Sequence, residues 1–283
     1  MTQEKKPPSH LPESDLAKER ADPAQMRSEG VLREKILGAL RLCALTVTQE
    51  ASHRLGRPAG RYLSIEFSPY LLFAEETSRE LCRTLAAVLV FFLSPLPSRV
   101  LVAGLGNRRL TADAFGALTA EEITATAALP EQAEALGLAP SVRTAVHVPD
   151  VRARTGIDSV QSVCAATRLA GADALIAIDA LATAERENLL SVLEITDTGT
   201  VPGGGVKQGK EALSRDTLGI PVIAIGLPTV IRADAEHFIV PRDLEAGVSA
   251  LAHITARAIE LALSGEAPPL PFPPEELFLK EKS

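Results

Sequence analysis

The sequence predicts an α/β protein: a three-layer sandwich in which helices cover both faces of a mostly parallel or mixed central sheet. Strand and helix patterns alternate along the chain, which is typical of this class. Two strand candidates, residues 100–103 and 174–178, are uninterrupted apolar runs, as expected of strands covered on both faces. Hydrophobic residues make up 46% of the 283 residues, so the chain can build a large core.

The elements follow from apolar spacing and from residues that end helices or strands. Pro95 and Pro97 end one helix, and Gly171 suits the C-terminal cap of another. The predicted helices are 49–55, 75–93, 159–169 and 243–263, and the predicted strands are 61–67, 100–103, 142–148, 174–180, 188–196 and 219–228.

Composition divides the chain into three parts. Residues 1–30 are rich in proline and charge and lack a hydrophobic period, which predicts a flexible or peripheral leader. Residues 31–267 are predicted to form one α/β domain, with a small β subregion at about 40–68. Residues 268–283, proline-rich and then charged, are expected to lie on the surface. The N-terminal residues lack the apolar segment of a secretory signal, so we expect a cytoplasmic protein without a membrane partner.

The turn after residues 100–103 is the first candidate for a functional site. Gly104 and Gly106 break the run at the carboxyl end of a strand, where open α/β sheets place their ligands. Thr111 is predicted to cap the next helix, with Asp113 in or beside its first turn. These glycines also begin a dinucleotide-binding pattern, but Arg109 stands at its third glycine position, which argues against a nucleotide site.

A second carboxylate follows the same logic. Asp179 comes directly after the apolar run 174–178, although a lone acid at this position can simply begin a loop. If the two strands are neighbours, Asp113 and Asp179 could share a proton, or could act as a base that activates water and an acid that protonates a leaving amine. Peptide hydrolysis is one reaction that such a pair can perform. The residues leave open which acid is the base.

Further candidates could support this pair. The glycines at Gly203, Gly204 and Gly205 can offer backbone N–H groups to a substrate carbonyl, and Asn107 could orient the acids. Asp197 could be a third acid or the first residue of an Asx turn.

Charge and composition exclude several classes of function. The formal net charge of -7 argues against broad binding of nucleic acid or anionic membranes. The three cysteines lack the spacing of metal ligands, and the five histidines are isolated. We therefore expect no metal and no cofactor.

Four motifs in order resemble the germination protease of endospore-forming bacteria. The resemblance covers roughly residues 60–234, with a fainter echo at 14–19. The motifs are residues 104–107 with 111–116, residues 175–182, residues 197–199 with 202–206, and residues 218–226 with 228–230.

The resemblance implies an atypical aspartic endopeptidase that degrades small acid-soluble spore proteins during germination. It implies a fold similar to that of hydrogenase maturation proteases, and its two essential acids match Asp113 and Asp179. It also implies a zymogen in the forespore or spore core, a homotetramer and self-processing near Asp15 and Leu16. Residues 183–187 depart from the family pattern. A non-catalytic relative, or a metal-dependent relative of the maturation-protease kind, is the alternative.

Overall fold

The central sheet has nine strands across the residues that the computed structural model describes, which are 14–20, 32–129, 133, 140–202, 211–232 and 237–278. Most of these strands are buried runs of leucine, isoleucine, valine and alanine, as expected of the middle layer of a sandwich. The strands are β1 Leu32–Leu37, β2 Leu40–Val47, β3 Gly60–Glu66, β4 Arg99–Gly104, β5 Arg143–His147, β6 Ala174–Thr183, β7 Val192–Thr196, β8 Val222–Arg232 and β9 Phe238–Ile239.

The sheet is mixed, as predicted. Its strand order is β1-β2-β3-β7-β8-β6-β4-β5, and β9 pairs with β8. The strands β8, β6, β4 and β5 run parallel to one another, whereas β1, β2, β3 and β7 join by antiparallel pairing. The parallel half therefore presents the carboxyl ends of four strands at one edge, and β7 ends at the opposite edge.

Helices cover both faces, so the three-layer prediction is confirmed. The helices are α1 Gln49–Leu55, α2 Glu75–Phe92, α3 Phe115–Glu121, α4 Arg152–Thr155, α5 Ser159–Ala170, α6 Arg215–Leu218 and α7 Leu244–Ser264. On β6, Ile176 and Ile178 belong to the cluster that also contains buried residues of α2, α3 and α7, whereas Leu175 and Ala177 face α5. The short helix α1 covers β2 and β3 on that second face.

The last helix, α7, is long and apolar enough to cross a membrane by length and composition alone. In this fold it packs against α2 and α3, and residues such as Leu251 and Ile259 are fully buried in the main core. Its apolar character therefore fits the core of the sandwich.

Part of the predicted leader is packed against the sheet. Leu16 and Ala17 are 0% and 1% exposed, and Ala17–Arg20 form a short 3₁₀ turn. A flexible or peripheral leader does not describe residues 14–20, because two apolar side chains are enough to anchor so short a segment when several hydrogen bonds accompany them.

Part of the predicted surface tail is also buried. Leu277 and Phe278 are 1% and 5% exposed, and the Phe278 ring stacks on Phe91 with centroids 5.7 Å apart. The expectation of a surface tail is therefore wrong for these two residues, since the aromatic end of α2 offers them an apolar partner.

Candidate active site

Neighbouring strands bring the two predicted acids to one edge of the sheet. β4 and β6 are adjacent and parallel, and Gly104 is paired with Ile178. Just beyond this pair, the Leu105 N–H donates to the Ile178 carbonyl at 2.8 Å. Asp179 is the next residue on β6, and the turn that carries Asp113 follows Leu105. The acids thus share the carboxyl edge between two neighbouring strands.

Asp113 is folded back onto the turn that follows β4. The Asn107 backbone N–H donates to Asp113 Oδ2 at 2.8 Å. Gly106 makes this possible: its φ is +91°, and a Cβ there would lie 2.1 Å from the Asp113 carbonyl oxygen. The Asn107 side chain accepts from the Arg109 N–H at 3.0 Å, so it shapes the turn while its backbone holds the acid.

The predicted cap at Thr111 is wrong. Thr111–Asp113 form a separate 3₁₀ turn, and α3 begins only at Phe115 without a side-chain cap. The turn is tied to the sheet instead, because the fully buried Thr229 donates from Oγ1 to the Ala112 carbonyl at 2.5 Å. Thr229 is the extra residue of a bulge, since β6 pairing passes from Pro228 directly to Val230.

Close packing of backbone also fixes the position of the turn. A Cβ on Gly104 would lie 2.3 Å from the Gly116 carbonyl oxygen, and a Cβ on Gly116 would lie 2.1 Å from that of Ile178. These two glycines therefore let α3 approach β4 and β6 closely.

The environment of Asp113 favours its protonated form. Burial raises the pKa of the Asp113 carboxyl above its usual value, and the Asn107 N–H opposes this. The negative charge of Asp150 raises the Asp113 pKa further. A raised pKa is what a carboxyl needs to donate a proton near neutral pH.

Asp179 is buried within β6. Its side chain is on the α5 face, because it alternates with Ile178 and follows Leu175 and Ala177 at even spacing. Only 7% of the residue is exposed, and its Oδ1 accepts from the Ala180 N–H at 3.0 Å. Asp179 is therefore buried in the middle of β6, at the point where the pairing with β4 ends, although the sequence predicted it at the end of its strand.

Two more acids stand near the pair, and the sequence interpretation missed both. Asp150 follows β5 with φ of +58° and forms an ion pair with Arg154 at 2.7 Å. Glu194 lies on β7 and is 5% exposed. It pairs with Gly226 of β8, and Gly226 pairs on its other side with Asp179 of β6. A glutamate inside the apolar run of β7 was the sequence feature that could have revealed Glu194.

Burial raises the pKa of Glu194 to about 7, although the positive charge of Arg57 and the N–H of Ala17 act against this shift. The Ala17 N–H donates to Glu194 Oε2 at 2.9 Å. The buried carboxyl is therefore in contact with the N-terminal segment.

His147 ends β5 at the same edge of the sheet. Its Nε2 lies 2.9 Å from Ser162 Oγ, and burial lowers its pKa, so the neutral ring is favoured. Within the described part of the chain, no group of three or more His, Cys, Asp or Glu side chains is arranged to hold a metal ion.

The structure does not bring Asp197 to this edge. Asp197 follows β7, which runs antiparallel to β8, so it lies toward the opposite end of the sheet. Its carboxylate binds Arg61, with Nε to Oδ2 at 2.7 Å and the backbone N–H to Oδ1 at 2.8 Å. Gly203, Gly204 and Gly205 lie outside the described residues.

Asp15 and Leu16, the predicted self-processing site, lie against the end of β6. The Asp15 N–H donates to the Ala182 carbonyl at 2.8 Å, and the Ala182 N–H donates back to Asp15 Oδ2 at 2.8 Å. Ala182 is three residues beyond Asp179 on the same strand, a distance of about 10 Å along an extended chain.

A family model described as germination protease matches residues 12–237. The chain belongs to the germination protease family. The match includes Asp113, Asp179 and the segment 14–20. The prediction of this family from the four motifs is therefore confirmed.

Curated germination proteases show how far the similarity extends. The chain is 35% identical over 211 residues to that of Bacillus cytotoxicus, covering 72% of this chain and 56% of the relative. It is 34% identical over 227 residues to that of Bacillus cereus strain 03BB102, covering 77% and 61%. For Geobacillus sp. strain WCH70 the identity is 35% over 214 residues, covering 72% and 56%.

The chain thus spans somewhat more than half the length of the curated germination proteases it matches. Among solved structures, a NiFe hydrogenase maturation protease, HycI from Thermococcus kodakarensis KOD1, is similar at 19% identity with a TM-score of 0.36. That likeness covers 61% of this chain and 99% of the neighbour.

Proposed function

We propose that this protein is an endopeptidase that cleaves small acid-soluble spore proteins during spore germination, using Asp113 and Asp179 to activate water. Membership of the germination protease family supports the reaction class. One observation carries the choice of residues: both acids of the predicted pair come to the carboxyl edge between the adjacent parallel strands β4 and β6.

The proposed division of roles follows from the surroundings of each acid. Asp179 takes a proton from a water molecule, whose oxygen attacks the scissile carbonyl carbon. Asp113, whose pKa burial raises, gives its proton to the nitrogen of the leaving amine as the C–N bond breaks. The Asn107 N–H stabilises the carboxylate that Asp113 becomes.

The family resemblance also supplies the wider context of the proposal. The enzyme would act in the forespore or spore cytoplasm as a homotetramer, and would be made as a zymogen that processes itself near Asp15 and Leu16. No cofactor takes part in the proposed reaction.

The test uses purified protein and small acid-soluble spore proteins, with fragments identified by mass spectrometry. The full chain and a form that begins at Leu16 are compared with Asp113→Asn, Asp179→Asn and, as a matched control, Asp216→Asn on the exposed helix α6. We expect discrete cleavage by the unaltered protein and by the control, and none by either site variant.

Two results would contradict the proposal. Cleavage that persists in both folded site variants would show that the two acids do not take part in the reaction. Intact substrate with every folded form, including the one that begins at Leu16, would favour a non-catalytic relative.

A further inference from the structure

Four large apolar side chains are exposed at the edge of the sheet that carries the two acids. Tyr70, one of the two tyrosines of the chain, is 90% exposed, and Phe73 is 71% exposed. Ile239 ends β9 and Val240 follows it, and both are half-exposed. We call these four residues the apolar rim. Clusters of exposed apolar side chains are typical of surfaces that bind a protein or another ligand.

The direction of the strands places both parts of the apolar rim at this edge. β3 runs antiparallel to β7, and β7 runs antiparallel to β8, so β3 ends at the same edge as β4, β6 and β8. Tyr70 and Phe73 lie in the connection that follows β3. β9 pairs with Ile231 and Arg232, the last residues of β8. Both parts of the rim therefore extend from the edge at which the acids lie.

The packing of three helices gives the order of these segments along the edge. α2, α7 and α3 all begin at this edge and contribute to the same core cluster, and α7 packs against both α2 and α3. The loop after β3 leads into α2, β9 leads into α7, and the turn that carries Asp113 leads into α3. The turn Thr111–Asp113 also packs against α7. β9 therefore lies between the loop after β3 and the candidate acid.

The spacing of packed helices sets the distances along this edge. Neighbouring helix axes are about 8–10 Å apart, which puts Ile239 and Val240 about 10 Å from the Asp113 turn and Tyr70 and Phe73 about 20 Å from it. An extended chain advances about 3.3 Å per residue. A polypeptide cut beside Asp113 therefore reaches β9 after about three residues and the two aromatic rings after about six.

The loop that carries the two rings is fixed to the core. Leu72, between them, is buried, and its carbonyl accepts the Ser78 hydroxyl. Pro69–Leu71 form a 3₁₀ turn that Leu72 extends with an N–H bond to the Pro69 carbonyl at 3.4 Å. Residues three apart in such a turn lie on one side, so Tyr70 and Phe73 project together. A backbone that is already ordered lowers the entropic cost of binding.

From this arrangement we infer that the apolar rim is an exosite for the substrate protein. It binds apolar side chains of an extended polypeptide about three to six residues from the scissile bond. The inference rests on the proposed peptidase function. Because only an extended segment can pass the acids and reach both parts of the rim, the exosite favours long unfolded segments over short peptides and over folded proteins.

The test compares peptides that share one scissile sequence, taken from a small acid-soluble spore protein that the unaltered protein cleaves. A short peptide has two residues on each side of the bond. Two long peptides extend about eight residues on each side and carry either leucine or serine at the sixth position from the bond, on both sides. We expect kcat/KM for the leucine peptide to exceed that for the serine peptide at least about fivefold.

Tyr70→Ser/Phe73→Ser should abolish this preference, because it removes both rings. Leu169→Ser is the matched control, since Leu169 is as exposed as Tyr70 but lies near the end of α5, on the opposite edge. The control should keep the preference, and all three proteins should cleave the short peptide equally. A preference of equal size in variant and control, or none in the unaltered protein, would overturn the inference.

A second variant keeps the inference testable if the first does not fold. Ile239→Ser/Val240→Ser should abolish the same kind of preference when leucine or serine stands at the third position from the bond. A folded Ile239→Ser/Val240→Ser protein that keeps this preference would contradict the inference.

A binding measurement separates this inference from the peptidase proposal. The probe is a fluorescent small acid-soluble spore protein, and Asp113→Asn/Asp179→Asn keeps it intact. Adding Tyr70→Ser/Phe73→Ser should weaken binding at least about fivefold, and adding Leu169→Ser should not. Rim-dependent binding without cleavage by the unaltered protein would support the exosite and contradict the peptidase. Cleavage without rim-dependent binding would do the reverse.

Sedimentation velocity tests the other occupant of the rim, a second copy of this chain. The unaltered protein, Tyr70→Ser/Phe73→Ser and Leu169→Ser should have the same mass in solution. A lower mass for the rim variant alone would assign the rim to a subunit interface and overturn the inference.

Discussion

Asn107 donates its backbone N–H to Asp113 Oδ2 at 2.8 Å, and this bond closes the turn between β4 and α3 around the candidate acid. The bond depends on the positive φ of Gly106, directly before Asn107, and on the hydrogen bond from Thr229 of β8 to the Ala112 carbonyl. Both supports can be removed one at a time.

Replacing Gly106 by alanine should distort the site. The new Cβ would meet the Asp113 carbonyl oxygen at 2.1 Å on a backbone with φ of +91°, so both strain and displacement follow. We expect a loss of at least about 2 kcal/mol of stability and a fall in cleavage rate on the order of a hundredfold. Thermal unfolding and initial rates measure the two effects.

Gly219→Ala is the matched control for this substitution. Gly219 has φ of +73°, but an added Cβ there meets nothing within 4 Å. It should cost about 1 kcal/mol and leave the rate unchanged. Equal rates for the two variants would show that Gly106 does not position Asp113.

Removing the anchor of the turn should cost stability and rate together. Thr229→Val deletes the hydroxyl that donates to the Ala112 carbonyl at 2.5 Å, which leaves this partly buried acceptor without the bond. We expect a loss of about 1–3 kcal/mol and a several-fold lower kcat. Urea unfolding and steady-state kinetics check this.

Replacing Thr255 by valine, in contrast, should not lower the stability of the protein. Thr255 Oγ1 is buried in α7 and has no hydrogen-bond partner among the residues that the structure describes. Thr255→Val should therefore be neutral or stabilise by up to about 1 kcal/mol. If Thr255→Val destabilised the protein as much as Thr229→Val, the lost hydrogen bond would not explain the effect at Thr229.

Glu194 should make stability fall as pH rises. Burial raises its folded-state pKa to about 7, above the value near 4.5 of an unfolded chain, so the folded protein binds this proton more tightly. Its contribution is fully present below about pH 4.5 and is lost as pH approaches 7. The charged groups around it are Arg57, Lys18 and Asp15.

Glu194→Gln should abolish that dependence. The difference in unfolding free energy between the two proteins should change by up to about 3 kcal/mol from pH 4.5 to pH 7. Glu245→Gln, on the exposed side of α7, should change nothing. A constant difference across this range would show that Glu194 does not titrate there.

The charge of Asp150 should shift the alkaline limit of activity. Its charge raises the pKa of Asp113, so Asp150→Asn lowers that pKa and leaves Arg154 without its partner, which acts in the same direction. If Asp113 donates a proton, the alkaline fall in kcat/KM should move to lower pH. Asparagine tolerates the φ of +58° at this position.

The control for this pH profile is Asp216→Asn, which removes a charge from the exposed helix α6 without approaching the site. Its profile should overlay that of the unaltered protein. A shift to higher pH in Asp150→Asn would assign the proton donor to another group.

The sequence predicts Asp113 and Asp179 as a pair because one follows the turn after an apolar run and the other directly follows such a run, and the structure has these two strands adjacent. Asp197 follows the same rule and yet lies toward the opposite end, since β7 is antiparallel to β8 and the direction of a strand is not encoded within it. Glu194 was missed because its role depends on β7 pairing with β8, and on a segment far away in sequence reaching it.

The N-terminal segment shows the same limit of local reasoning. Leu16 and Ala17 are too short an apolar stretch to predict packing from composition. Ala17 packs with Leu45, Val47 and Tyr62 of β2 and β3. The segment is also held by donors of β6 and the turn after it, some 165 residues further along the chain.

Residues 183–187, where this sequence departs from the pattern of germination proteases, include two that hold Glu19. The turn and the segment 14–20 therefore form a single exchangeable unit. A chimaera that takes the turn from one relative and the N-terminal segment from another would mismatch donors and acceptors, whereas one that transfers both would keep them matched. Within the family, changes in these two short stretches are expected to arise together, as compensating pairs.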